Sequence, residues 1–164
     1  MNKELSPRDQ EEIFTGDEWV LPTDVKLVDK AASEFRKRLI EAGWDEWLTM
    51  PFQEMLINAI VHGNLGIKNK SEVESWQDAA LREQREKPTD RKVHVKFYIN
   101  PEEIEVIIRD DGEGFDWQSM LDPKEELLKS SGKGWAYLHP SMELFDSFEY
   151  NEKGNEVTLR KNRN

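Results

Sequence analysis

Apolar and polar positions along this chain follow two periods, and each marks a different kind of element. Val93, Val95, Phe97 and Ile99 alternate with His94, Lys96 and Tyr98, which predicts a half-buried strand. Asn100-Pro101-Glu102-Glu103 turns that strand into Ile104-Glu105-Val106-Ile107-Ile108, a second alternating run from which Asp110 emerges at the end. Further on, Phe148 and Tyr150 are spaced to pair with Val157 and Leu159 across residues 151–155, where Gly154 supplies the turn. Glu18-Trp19-Val20-Leu21 is a short strand stopped by Pro22.

The other period is helical. Val28, Ala31, Ala32, Phe35, Leu39 and Ile40 make one apolar face of a helix that Thr23 or Asp24 can cap and Gly43 ends, running to about Ala42. From Pro51 to Gly63, Phe52, Met55, Leu56, Ala59, Ile60 and Gly63 form a second apolar face, with proline suited to the first turn. The stretch 71–88 is charged but contains Trp76, Ala79, Ala80 and Leu81, and its propensity predicts a helix inserted beside the second one, within about residues 65–90. Residues 1–16 are polar and acidic, and read as a mobile tail or a partner-dependent arm. The remainder, 17–164, is of a size for one domain with its own core, and no repeat interrupts it.

Candidate chemistry sits on three segments. On the polar side of the second helix Glu54, Asn58 and His62 fall at i, i+4 and i+8 with apolar flanks. Solvated stripes usually mix lysine, arginine and glutamate, whereas this one offers a carboxylate, an amide and an imidazole. An amide oxygen is a hard neutral ligand suited to Mg²⁺, and a carboxylate one turn earlier can take a proton from a nucleophile. The second segment is Asp110-Asp111-Gly112-Glu113-Gly114-Phe115. Its glycines permit positive φ and close backbone approach to a base or phosphate, and Asp110 can accept a hydrogen bond from the exocyclic amine of adenine. The third is Ser130-Ser131-Gly132-Lys133-Gly134, where alternating glycines ahead of a predicted helix can present backbone N–H groups to phosphate, with Lys133 adding a cation.

In this order the three segments resemble the ATPase domain of the GHKL superfamily (the Bergerat fold), shared by gyrase, ATP-driven chaperones, sensor histidine kinases and mismatch-repair proteins. The matching residues are Glu54, Asn58, Ala59, His62 and Gly63, then Asp110, Gly112, Gly114 and Phe115, then Gly132 and Gly134. Within the superfamily the chain is most similar to the small bacterial anti-sigma-factor serine/threonine-protein kinases. That resemblance implies a two-layer α/β sandwich, with a mixed and mostly antiparallel sheet carrying helices on one face, and a short ATP lid at about residues 115–131. It further implies ATP as ligand, Mg²⁺ held by Asn58, and Glu54 as general base. Asp110 would read adenine, and His62, Gly112, Gly114, Phe115, Gly132, Lys133 and Gly134 would line the nucleotide. The implied acceptor is a serine on an anti-sigma-factor antagonist of the STAS type, with a sigma factor competing for the kinase, and dimerisation is a family expectation. The third segment departs from the pattern. Ser130 and Ser131 stand where an arginine is often found, Trp135 replaces a smaller aliphatic residue, and Pro140 falls inside the following helix. A nucleotide-dependent binding module without phosphoryl transfer, and a histidine-kinase catalytic domain acting in trans, are the alternative readings.

Composition narrows the partners. A formal charge of −11 opposes nucleic-acid phosphates and anionic membranes, so neither is an expected partner. The absence of cysteine excludes a disulfide scaffold and thiolate chemistry and is compatible with a reducing cytoplasm, the expected location. No signal-peptide core stands at the N-terminus, and nowhere do about eighteen uncharged apolar residues run together.

Overall fold

The computed structural model describes residues 5–67, 73–114 and 144–163. Its strands are β1 (Glu18–Pro22), β2 (Lys92–Ile99), β3 (Glu103–Asp110), β4 (Ser147–Tyr150) and β5 (Glu156–Asn162). They form one sheet in the order β1-β2-β3-β5-β4, and every pairing among them is antiparallel. The alternation read in the sequence decides which face is buried. Trp19, Leu21, Val93, Val95, Phe97, Ile104, Val106, Ile108, Val157 and Leu159 all lie in the core, while Val20, Lys96 and Tyr98 lie on the open side. The C-terminal hairpin has the expected register, Phe148 opposite Leu159 and Tyr150 opposite Val157.

The helices are α1 (Pro7–Ile13), α2 (Val28–Glu41), α3 (Thr49–Asn58) and α4 (Trp76–Glu86). Helices α2 and α3 pack on each other and on the inner face of the sheet, giving an α/β sandwich. Phe35 of α2 stacks on Phe52 of α3 at 4.2 Å between ring centres, and Trp19 meets both Phe14 and Phe97 edge-on at 4.9 Å. The α2 helix begins later than the sequence predicts. Asp24 accepts from the Lys26 N–H, but it caps a 3-10 turn, Val25–Leu27, that precedes α2.

The N-terminal segment expected as a mobile tail instead carries α1, capped by Ser6, and delivers Phe14 into the core at 5% exposure. No residue of the helix is fully buried, which is why its seven polar-rich residues look like a tail; Phe14, the residue after it, holds the segment down, with Ile13 packed partly buried against the same core. The charged stretch after Gly63, at 71–88, does contain a helix, α4. Ser75 caps it, Ala79 and Ala80 are buried, and Gln84 bridges to the Val25 N–H at 3.1 Å and to Asp24 Oδ1 at 2.8 Å. Asn151 organises the β4–β5 turn, its Oδ1 accepting from the N–H groups of Gly154, Asn155 and Glu156.

Candidate functional site

Helix α3 does not run as one α-helix to Gly63. After Asn58 it widens into a π-helical turn, Ala59–Asn64, in which the Leu65 N–H reaches the Ile60 carbonyl at 2.9 Å, five residues back. Each residue of such a turn advances less around the axis than in an α-helix, so His62 leaves the line that Glu54 and Asn58 begin. Glu54 and Asn58 are half-buried and His62 is exposed. The His62 ring lies edge-on to Trp76 at 4.7 Å, and its Nδ1 is 2.7 Å from the Ile67 carbonyl. A carbonyl only accepts, so Nδ1 carries the proton. His62 thereby ties α4 to the π turn that follows α3.

The widened turn carries Gly63 against the end of β3. A Cβ on Gly63 would lie 2.3 Å from Cγ of Asp110, so only glycine fits. Asp110 is the inward-facing last residue of β3, and its Oδ1 accepts from the Gly112 N–H at 2.9 Å. Burial raises its carboxyl from an ordinary 3.8 to about 6, with the Asp111 charge adding to the rise; the Gly112 hydrogen bond, Lys153 and Arg91 oppose it. Its backbone is fastened on the other side, the N–H donating to the Asn155 carbonyl and the carbonyl accepting from Asn155 Nδ2.

The two glycines of the Asp-x-Gly-x-Gly pattern have protein neighbours of their own. A Cβ on Gly112 would come within 2.2 Å of the Gly63 carbonyl oxygen, and one on Gly114, where φ is +82°, within 2.0 Å of the Lys153 carbonyl oxygen. The sequence suggested that these glycines open the backbone to a ligand. In the structure the same absence of side chains first allows three chain segments to touch.

Tyr150 was not singled out as a site residue. It projects inward from β4, with its hydroxyl 3.6 Å from Met55 Sδ and its phenol pushed above its usual range by burial and by the Asp110 charge. Asn64 was likewise missed, because the helical stripe ended at Gly63. It is a buried amide between two glycines, Gly63 and Gly66, and an amide that close to an apolar helix end is the signal that could have found it. Asp111, adjacent to Asp110, accepts from the Lys92 N–H at 2.8 Å and meets His94 Nε2 at 3.0 Å, and both lower its pKa.

Phe115, the lid at 115–131 and the third segment with Gly132, Lys133 and Gly134 lie outside the described residues, as do Ser130, Ser131, Trp135, His139 and Pro140. Among the described residues no group of three or more His, Cys, Asp or Glu side chains could hold a metal ion.

What the geometry assembles is a helix carrying a carboxylate and an amide, joined through a glycine contact to an acidic strand end. The sequence profile of the histidine kinase-like ATPase domain matches residues 19–161, from within β1 to within β5 and including α2 and α3. The chain belongs to that family. In this ATPase domain the match covers both boxes described above and the third segment. No curated protein matches the chain. Among the described residues, no helix of the ATPase domain is long and apolar enough to cross a membrane.

Proposed function

We propose that this ATPase-family domain binds ATP with Mg²⁺ and transfers the terminal phosphoryl group to a serine of an anti-sigma-factor antagonist, working as a partner-switching regulator. The observation that carries the reading is the junction of Gly63 with Asp110, which sets the Glu54–Asn58 helix beside a buried acceptor. A carboxylate at Asp110 suits the exocyclic amine of adenine. The carbonyl that guanine carries at the same position would face it acceptor to acceptor, so ATP is favoured over GTP.

Bound Mg²⁺ would neutralise charge on the phosphates, with Asn58 supplying its protein oxygen. Glu54, one helical turn before Asn58, would accept the proton of the attacking serine hydroxyl. Phe115, Gly132, Lys133 and Gly134 complete the proposed nucleotide contacts, together with His62 at the π turn. The carboxylate at Glu54 favours a kinase over a module that only binds, since binding needs no base. A cytoplasmic location and a sigma factor as competing partner belong to the same proposal.

Calorimetric titration with ATP and Mg²⁺, repeated with GTP, tests the binding half. The catalytic half is tested by incubating radiolabelled ATP with the protein and a co-encoded antagonist. Label should appear on a serine with the parent protein and fall by about a hundred- to ten-thousandfold with Glu54→Gln, while ATP binding persists. A parent protein that binds ATP and the antagonist yet leaves the antagonist unlabelled would refute the kinase assignment.

A further inference from the structure

Asn64 lies one residue beyond the first nucleotide box and touches none of the groups assigned to catalysis, yet it is only 3% exposed and uses both ends of its amide. Nδ2 donates to Thr23 Oγ1 at 3.0 Å and to the Lys92 carbonyl at 2.9 Å, and Oδ1 accepts from the Asp111 N–H at 2.8 Å. The backbone carbonyl of Asn64 accepts from Arg91 Nη1 at 3.0 Å, and Thr23 Oγ1 donates to the Arg91 carbonyl at 2.6 Å. Four segments therefore meet on one side chain: the residue after β1, the end of the π turn, the start of β2 and the residue after β3.

Asparagine is well matched to this place. It offers an acceptor and two donors on a short stem, and all of them are used. Leucine would fill the same volume but leave the Asp111 N–H and the Lys92 carbonyl without this partner. Aspartate would lose the donors and add a third carboxylate beside Asp110 and Asp111.

The consequence falls on Asp110. Asn64 grips the peptide that follows it, and the next N–H along, from Gly112, donates to the Asp110 carboxylate. On the other side Gly63, the residue before Asn64, leaves no room for a Cβ against that same carboxylate. One constraint on the carboxylate's orientation is made by the Asn64 side chain and the other by Gly63, the residue bonded to it. We propose that Asn64 is a positioning residue that aims the Asp110 carboxylate at the nucleobase and so sets the preference for ATP over GTP, an inference that rests on the nucleotide reading above.

The full chain carrying Asn64→Leu is compared with the parent and with Thr23→Val, which removes the outer hydroxyl but leaves the Asn64–Asp111 bond. Amide hydrogen exchange is followed in the nucleotide-free proteins, and ATP and GTP affinities are measured by calorimetry. In Asn64→Leu the Gly112 amide should exchange about tenfold faster or more, and the ATP-to-GTP affinity ratio should fall by about the same factor, the size expected for one buried hydrogen bond. Amides of Val95 and Ile108, inside the sheet, should keep their protection. Thr23→Val should lower the melting temperature while leaving the ratio and the Gly112 exchange as in the parent.

If Asn64→Leu fails to fold, Asn64→Ala, where water can take over part of the bonding, is read the same way. A position-64 variant with a lower melting temperature but an unchanged ratio and unchanged Gly112 exchange would overturn the proposal. A parent protein that shows no preference for ATP refutes the nucleotide reading instead, and the Gly112 exchange then still decides whether Asn64 orders Asp110.

Discussion

The two ends of this sheet are held by different physics. At one end Phe14, Trp19, Phe35, Phe52 and Phe97 form an aromatic cluster, with the Arg38 guanidinium 4.7 Å over the Phe97 ring. At the other, Gly63, Asn64, Asp110, Asp111 and Gly112 form a polar junction with directed hydrogen bonds and no spare volume. The aromatic end gains stability from area removed from water, which is large and largely indifferent to orientation. The junction gains much less per contact, but each contact admits one geometry. Holding the Asp110 carboxylate in one orientation, as the proposed adenine contact requires, needs the second kind of packing, and the first kind supplies the stability that lets it persist.

That contrast can be broken from either side. Phe52→Ala, which opens a cavity between Phe35 and Trp19, should cost about 3–5 kcal/mol in denaturant unfolding. In whatever fraction stays folded, the ATP-to-GTP ratio should match the parent's. If selectivity fell in step with stability, the two ends would not be separable.

Gly112→Ala should cost less stability, about 1–3 kcal/mol for overpacking against the Gly63 carbonyl, yet abolish measurable ATP binding by calorimetry. The obstacle is backbone, which cannot swing aside. Gly63→Ala presses on the Asp110 side chain instead, so it should retain weak binding with the ATP preference lost.

Asp110→Asn sharpens the comparison through pH. The folded protein holds a proton on Asp110 up to about pH 6, well above the unfolded carboxyl's ordinary 3.8. Between those values the folded state binds more protons than the unfolded, so the parent loses stability as pH rises through the window. The asparagine variant carries no such charge. Above pH 6 it should be more stable than the parent by roughly 1–3 kcal/mol, with the difference fading toward pH 4 in urea titrations. The parent's ATP affinity should weaken as pH falls below 6, because a protonated carboxyl loses an acceptor, and the variant should show no such dependence.

The smallest effect belongs far from both ends. Arg163 donates to the Pro101 and Gly43 carbonyls and stacks over Trp44 at 4.0 Å. Arg163→Ala should cost about 1 kcal/mol in thermal or denaturant unfolding and leave nucleotide affinity unchanged.

Much of this was legible in the chain because it is local. Strand alternation from Val93 to Ile108, the Phe148 and Tyr150 pairing, the apolar faces of α2 and α3 and the spacing from Glu54 to Asn58 each depend on residues within a turn or a strand of one another. Period and turn chemistry act over that range, so the individual strands and helices and the order of the boxes followed from sequence alone, and the α/β sandwich followed from the family resemblance that those boxes carry. The tertiary structure decided the rest. The polar segment before Phe14 is a helix because Phe14 finds a core that the sequence does not display. The π turn that moves His62 off the Glu54 line belongs to a helix end that places Gly63 and Asn64 against β2 and β3. The raised proton affinity of Asp110 comes from burial by partners distant in sequence, such as Gly63. Hydrogen-bond direction, close contact and desolvation are properties of segments brought together, and no window along the chain contains them.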